Sequence, residues 1–267
     1  MARRRHYANA PITEALIDLR ITHAQDFSPA DLGKMGETIA GRYPTQEPMY
    51  LQSGQITFQQ PGDPAQIEAT HQHGGFRFIS QNKQEIFQAR MGGFTFSTLA
   101  PYDRWEPFRD EARRLWELYR PAAKVENITR AAVRYINRID IPDPLPTVQD
   151  IPDGLPTVQL EDYLRTYPEV SADMPNKEFT ANFFMQVQLW QPDLGCFLIV
   201  NETVVPPPDF ETTLSIQLDF DLFREQFGEP WSADEDVAAW DFLEQLHDRK
   251  NEVFEASITD ATRGLIS

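Results

Sequence analysis

Hydrophobic and polar positions alternate at the start of this chain. From Ile12 to Thr22 it reads ITEALIDLRIT, with Ala15, Ile17, Leu19 and Ile21 alternating with Glu14, Leu16, Asp18 and Arg20. A period of two marks a half-buried strand. Ser28-Pro29-Ala30-Asp31 then supplies an N-cap serine, a proline at the first helical position and an acid in the first turn. Leu32, Met35, Ile39 and Tyr43 follow at helical spacing, and Pro44 ends the predicted helix. From Tyr50 to Thr98 the pattern returns to strands: YLQSGQITFQQ, QIEATHQH, GFRFISQ and EIFQARMGGFTFST, divided by Pro-Gly-Asp and Gly-Gly breaks. Asp103-Arg104-Trp105-Glu106 predicts a capping box. Trp105, Phe108, Ala112, Leu115 and Tyr119 then form the apolar stripe of a helix packed on a sheet.

The outline recurs from Arg130. In RAAVRYINRIDIP, Ala131, Val133, Tyr135, Asn137, Ile139 and Ile141 share one face, and Arg134, Ile136, Arg138 and Asp140 the other. The arginines also fit a helical repeat of four, but β-branched and aromatic residues decide for a strand. A short helix is expected over 160–167 and strands over 178–190, 195–201 and 212–220. Ser232-Ala233-Asp234-Glu235 is a second capping box, opening a helix that presents Trp240, Leu243, Leu246, His247, Val253 and Phe254 on one side. The expected class is α+β, with antiparallel sheets packed against helices. Each half reads as a β-α-β(3-4)-α unit, a duplication that by element order resembles helix-grip folds or the saddle of the TATA-box-binding protein. The halves are residues 1–129 and 130–267, able to form one continuous domain. Between them lies IPDPLPTVQ-D-IPDGLPTVQ, a nine-residue phrase said twice within 141–160 and changed only where Pro144 becomes Gly154. Its proline and aspartate content predicts a surface loop, where added length costs only about 0.6 kcal/mol per doubling.

Charge separates the halves. Met1 to Pro142 carries 18 Lys+Arg against 16 Asp+Glu, whereas Asp143 to Ser267 carries 6 against 25, which together give the net charge of −17. The acidic half disfavours nucleic acid, whose binding needs clustered cations, and favours a basic protein partner. Homo-oligomerisation is a further expectation. The single cysteine, Cys196, excludes an intramolecular disulfide and lies in an apolar run that predicts a core position. No stretch approaches the roughly 20 apolar residues of a membrane helix. Three N-terminal arginines have no apolar core after them, so a soluble, cytoplasmic protein is expected.

The leading candidates for chemistry are Arg130, Arg134 and Arg138, with Asn137 and Glu14. Arg134 and Arg138 share a strand face about 13 Å apart, where guanidinium groups could hold a phosphate or carboxylate. The competing reading pairs them with Glu14, Asp18 or Asp140. His71 and His73 could face a metal together but lack further ligands at a diagnostic spacing, so neither metal nor cofactor is expected. Asp219 and Asp221 are a chance-level Mg²⁺ pair. His247 is expected to be hydrogen-bonded and partly buried. No Walker A, G-x-G-x-x-G, G-x-S-x-G, H-E-x-x-H or paired C-x-x-C sequence occurs.

Three motifs together carry a resemblance. They are Pro11-Ile12-x-Glu14-Ala15 followed by Asp18-Leu19-Arg20, then Arg130-x-x-x-Arg134-Tyr135-Ile136-Asn137-Arg138-Ile139-x-Ile141-Pro142, and Trp240-x-x-Leu243-x-x-Leu246-His247 with Phe254. The chain resembles, over nearly its whole length, a sporadically distributed bacterial family. It departs at Ala132, where that family often has glycine, and in the doubled linker. The resemblance transfers no catalytic residues. Patchy occurrence implies an accessory role such as phage defence or toxin neutralisation. Two readings follow: a non-catalytic interaction protein whose acidic half engages a basic partner, or a hydrolase-like enzyme holding a phosphorylated or nucleotide-like ligand on the strand arginines.

Overall fold

The computed structural model describes residues 7–24, 27–57, 66–141, 160–171, 173–175, 182–206, 214–225 and 233–267, with the side chains of 52–57, 66–71 and 233–236 outside that description. In chain order the first half comprises β1 (Ile12–His23), α1 (Pro29–Gly33), α2 (Met35–Ile39), β2 (Thr45–Thr57), β3 (Gln66–Ile79), β4 (Glu85–Arg90), β5 (Gly93–Leu99) and α3 (Trp105–Ala122). The second comprises β6 (Val125–Ile141), α4 (Leu160–Tyr163), β7 (Phe184–Gln191), β8 (Cys196–Val205), β9 (Leu214–Glu225), α5 (Ala233–Ser257) and α6 (Asp260–Ile266). The repeated phrase and the 232–235 capping box lie outside the described residues or side chains.

All nine strands form one antiparallel sheet, ordered β2-β3-β4-β5-β1-β6-β9-β8-β7. The two halves meet where β1 pairs with β6, so they share a sheet. Alternation puts one row of side chains on a single face across seven strands: Phe78, Phe87, Phe96, Ile17, Val133, Leu222 and Leu198, each opposite the next. All seven are buried. Helices cover this face, with α1 against β3 and β4, α3 against β5 and β6, and α5 against β6 and β9. Phe94 meets Trp116 edge-on at 5.6 Å, and Phe96 stacks on Phe108 at 5.3 Å. The result is an α+β fold whose core lies between sheet and helices.

Several local expectations need correction. The helix predicted up to Tyr43 is two short helices meeting at Lys34, although Leu32, Met35, Ile39 and Tyr43 are buried as expected. Gly74-Gly75 does not break a strand but lies inside β3. There β2 shifts register between Met49 and Tyr50, and Gly75 adopts φ +140°. A Cβ at Gly75 would stand 2.0 Å from the Ala89 carbonyl oxygen, so only glycine permits this approach. The cap of α3 is Arg104, in an extended conformation and without a side-chain cap bond, and the Asp103 carboxylate pairs with Arg104 instead. The helix α6 had no counterpart in the sequence reading.

Phe87 is fully buried against Phe78, Phe94 and Tyr119. Phe87→Ala should therefore lower unfolding stability by about 3–5 kcal/mol, read from urea midpoints. A loss under about 1 kcal/mol would contradict this packing.

Candidate functional site

The helix-free face of the central strands carries a lattice of charges. Arg130 donates to Asp18 at 2.9 Å and to Asp221 at 2.8 Å, and its guanidinium carbon lies 4.4 Å from the Phe223 ring centroid. Arg134 binds both oxygens of Asp219 at 2.8 and 2.6 Å, and Asn201 donates to the same carboxylate at 3.1 Å. Arg90 and Thr95 both donate to Asp18. Arg138 lies 3.1 Å from Asp140, which also accepts from Ser215. Arg130, Arg134 and Arg138 thus share a face, as alternation requires, and each guanidinium meets a carboxylate of its own strand or a neighbour. Burial pushes Asp221 upward despite the opposing pull of Arg130 and Arg134.

Of the other expected members, Glu14 shares this face, opposite Ile136 in the β1–β6 register, and acts on Arg134 through its charge without forming an ion pair with these arginines among the described residues. Asn137 points to the helix face, where it is buried and donates to the carbonyls of Tyr135 and Leu218. His73 bonds the Gly75 carbonyl oxygen through Nε2 at 2.9 Å and packs on Tyr50 and Phe76, whereas the His71 side chain is outside the described set. Among the described residues no cluster of three or more His, Cys, Asp or Glu could hold a metal. Cys196 is a free, buried thiol, pushed upward by that burial.

Asn137 opens onto a different site, a cleft of about 1110 Å³ on the helix face. Its walls are the segment before β1, the turn into α3 that contains the cis Ala100–Pro101 bond, and the middle of α5. The Asn9 amide N–H donates to the Ile266 carbonyl at 3.1 Å, which brings the N-terminal wall against α6. Tyr135, fully buried on β6, reaches towards α5 and anchors a hydrogen-bonded series. Asn251 Nδ2 lies 3.3 Å from His247 Nε2, His247 Nδ1 lies 3.1 Å from the Tyr135 hydroxyl, and that hydroxyl lies 3.2 Å from the Tyr102 hydroxyl. Since an amide NH₂ can only donate, the imidazole proton sits on Nδ1 and points to Tyr135, whose hydroxyl then donates to Tyr102. Trp105 stacks on His247 at 4.4 Å and 6°, and its indole N–H donates to Glu244 at 2.7 Å. Burial raises both Tyr102 and Tyr135, so both phenols keep their protons.

Lys250, one turn beyond His247, is only 6% exposed, and its amine lies 4.0 Å from the Tyr135 ring centroid. Among the described residues it makes no ion pair or hydrogen bond. Burial drops it to about 7. A second isolated ionisable group, Glu202 on β8, is fully buried with neither oxygen partnered among the described residues, and burial lifts it to about 8. Both were readable in the sequence. Lys250 continues the stripe Leu243, Leu246, Phe254, and Glu202 continues the alternation Cys196, Leu198, Val200. An ionisable residue in phase with a buried apolar pattern is the signal. No family model, curated protein or solved structure matches this chain. Among the described residues no helix is long and apolar enough to cross a membrane.

These two groups shape the pH profile of stability in opposite directions. Glu202 binds its proton more tightly when folded, so its contribution is present below about 4.5 and lost as pH rises through about 8. Lys250 binds its proton less tightly when folded, so its contribution is present above 10.5 and lost as pH falls through about 7. Urea titrations should show that Glu202→Gln flattens the decline between these acidic and neutral limits. Lys250→Met should flatten the rise on the alkaline side. A wild-type profile unchanged by either substitution would refute the assignment.

Proposed function

We propose that this chain is a non-catalytic interaction protein, built by duplication of one α+β unit, whose second half engages a protein with a basic surface. Strand order supports the duplication. Outward from the β1–β6 pair the sheet runs β5, β4, β3, β2 on one side and β9, β8, β7 on the other. Each half starts with a central strand, continues through short helical segments to an outer strand, returns strand by strand, and ends in a long helix, α3 or α5.

The observation that carries the interaction reading is the end strand β7. Phe184 and Trp190 are 69% and 53% exposed, and Leu189 is exposed beside them. Large apolar side chains on a strand that ends the sheet among the described residues favour a partner. Trp190 leads a series of rings, 4.9 Å from Phe197, which is 5.8 Å from Phe223 beneath Arg130. An exposed indole face attracts Lys or Arg. The excess of acids in this half steers a basic protein towards it. The patchily distributed bacterial family that the chain resembles supports an accessory setting, phage defence or toxin neutralisation.

Gentle purification from the native host, followed by titration of the co-purifying basic protein, tests this reading. Raising salt from low to several hundred millimolar should weaken binding by at least about tenfold. Trp190→Ala should weaken it by about tenfold or more, as expected of a buried aromatic anchor. Salt-independent binding would overturn the electrostatic part, and wild-type affinity in the variant would remove β7 from the interface.

A further inference from the structure

We propose that the helix-face cleft is a carbonyl-binding site in which the Lys250 amine adds reversibly to an aldehyde or ketone to form an imine. The inference is independent of the β7 surface and concerns covalent ligand capture, not turnover.

The geometry begins with the contrast between the buried cations. Arg130, similarly buried, is flanked by Asp18 and Asp221. Among the described residues Lys250 meets the face of Tyr135 and forms no ion pair with a carboxylate, and a cleft lies in front of it. An arrangement meant to hold an ammonium ion would supply acceptors. Burial favours the free base, whose lone pair is the nucleophile, against the weaker pull of the Tyr135 ring face towards the cation. The direction of the Lys250 titration agrees, since burial leaves about half of the amine neutral at pH 7. An exposed lysine near 10.4 is neutral to roughly one part in a few thousand at that pH.

The neighbours suit the chemistry. In imine formation the amine nitrogen bonds to the carbonyl carbon and the carbonyl oxygen takes up a proton. The nitrogen then loses its protons, the carbon loses the hydroxyl as water, and a C=N bond remains. The balance is R₂C=O plus Lys–NH₂ giving R₂C=N–Lys plus H₂O, with no oxidant or reductant. Proton carriers stand beside the amine in the Tyr102–Tyr135–His247 series. The Asn137 amide, on the same wall, donates to the main-chain carbonyls of Tyr135 and Leu218.

Charge selects the ligand class. From the turn into α3 the cleft is lined by Asp103, Arg104 and Glu106, and from α5 by Asp248, Glu252 and Glu255. The segment before β1 adds Tyr7, whose hydroxyl donates to Glu255. Among the described lining residues carboxylates outnumber arginines. Although Asp103 pairs with Arg104, Glu252 with Arg249 and Glu255 with Arg263, the remaining acidic excess favours a neutral or cationic carbonyl compound over an anionic one.

The whole protein should be incubated at pH 7 with propanal and sodium cyanoborohydride, which reduces the imine to a stable secondary amine, and the adducts mapped by peptide mass spectrometry. The chain has five lysines, and Lys34, Lys83 and Lys124 are exposed internal references. Lys250 should be alkylated roughly tenfold or more faster than these, and urea should abolish the preference. Labelling confined to the exposed lysines would overturn the proposal without any variant having to fold. Replacing propanal with glyoxylate should reduce the preference for Lys250. A greater preference with glyoxylate would overturn the assigned charge class. Tyr135→Phe keeps the ring over the amine but breaks the hydroxyl series, so it should slow Lys250 labelling severalfold while leaving the reference lysines unchanged. An unchanged Lys250 rate would remove the phenol series from the site.

Discussion

Pairing of β1 with β6 aligns Ala15 with Tyr135, Ile17 with Val133 and Leu19 with Ala131. This contact makes one sheet of two chain halves, and it sets which residues elsewhere share a face. With Ile17 turned to the helices, Asp18 must turn away and meet Arg130 and Arg90. With Tyr135 turned to the helices, Arg134 must turn away and meet Asp219. A shift of one residue in this ladder would put charges into the core and the core into water. The charged lattice and the helix-face cleft are two sides of one register.

The fold therefore treats ionisable groups in two ways. On the helix-free face they neutralise one another across β1, β6 and β9, so that even nearly inaccessible Asp219 and Arg130 keep satisfied bonds. On the helix face Lys250 lies against the Tyr135 ring and Glu202 is buried, neither with such a partner among the described residues. The first arrangement resists unfolding chiefly because removal of one partner would strand the other. The second weakens the fold over part of the pH range, which is the expected signature of a residue retained for something other than stability.

Much of this was legible in sequence, in particular ways. Period two in ITEALIDLRIT and RAAVRYINRID identified the buried faces of β1 and β6, and the Trp105–Tyr119 stripe identified the covered face of α3. Alternation fixes a face but not every neighbour: the competing partners Asp18 and Asp140 do pair with Arg130 and Arg138, whereas Asp219 and Asp221, 85 and 91 residues from Arg134 and Arg130, could not be assigned. Gly74-Gly75 misled because glycine signals a break and a close strand approach with the same letter. Asn137 was grouped with the arginines by proximity in sequence, although its parity put it on the opposite face. Lys250 was passed over because a lysine in a helix reads as surface unless its phase against Leu243, Leu246 and Phe254 is checked.

The contact between Asn9 and Ile266 also has a bearing on handling. Residues 7–12 form one wall of the cleft, and α6 supports that wall from behind. Substitutions in either segment would loosen that wall, so variants at positions 7–12 or in α6 are not neutral wherever access to Lys250 is measured.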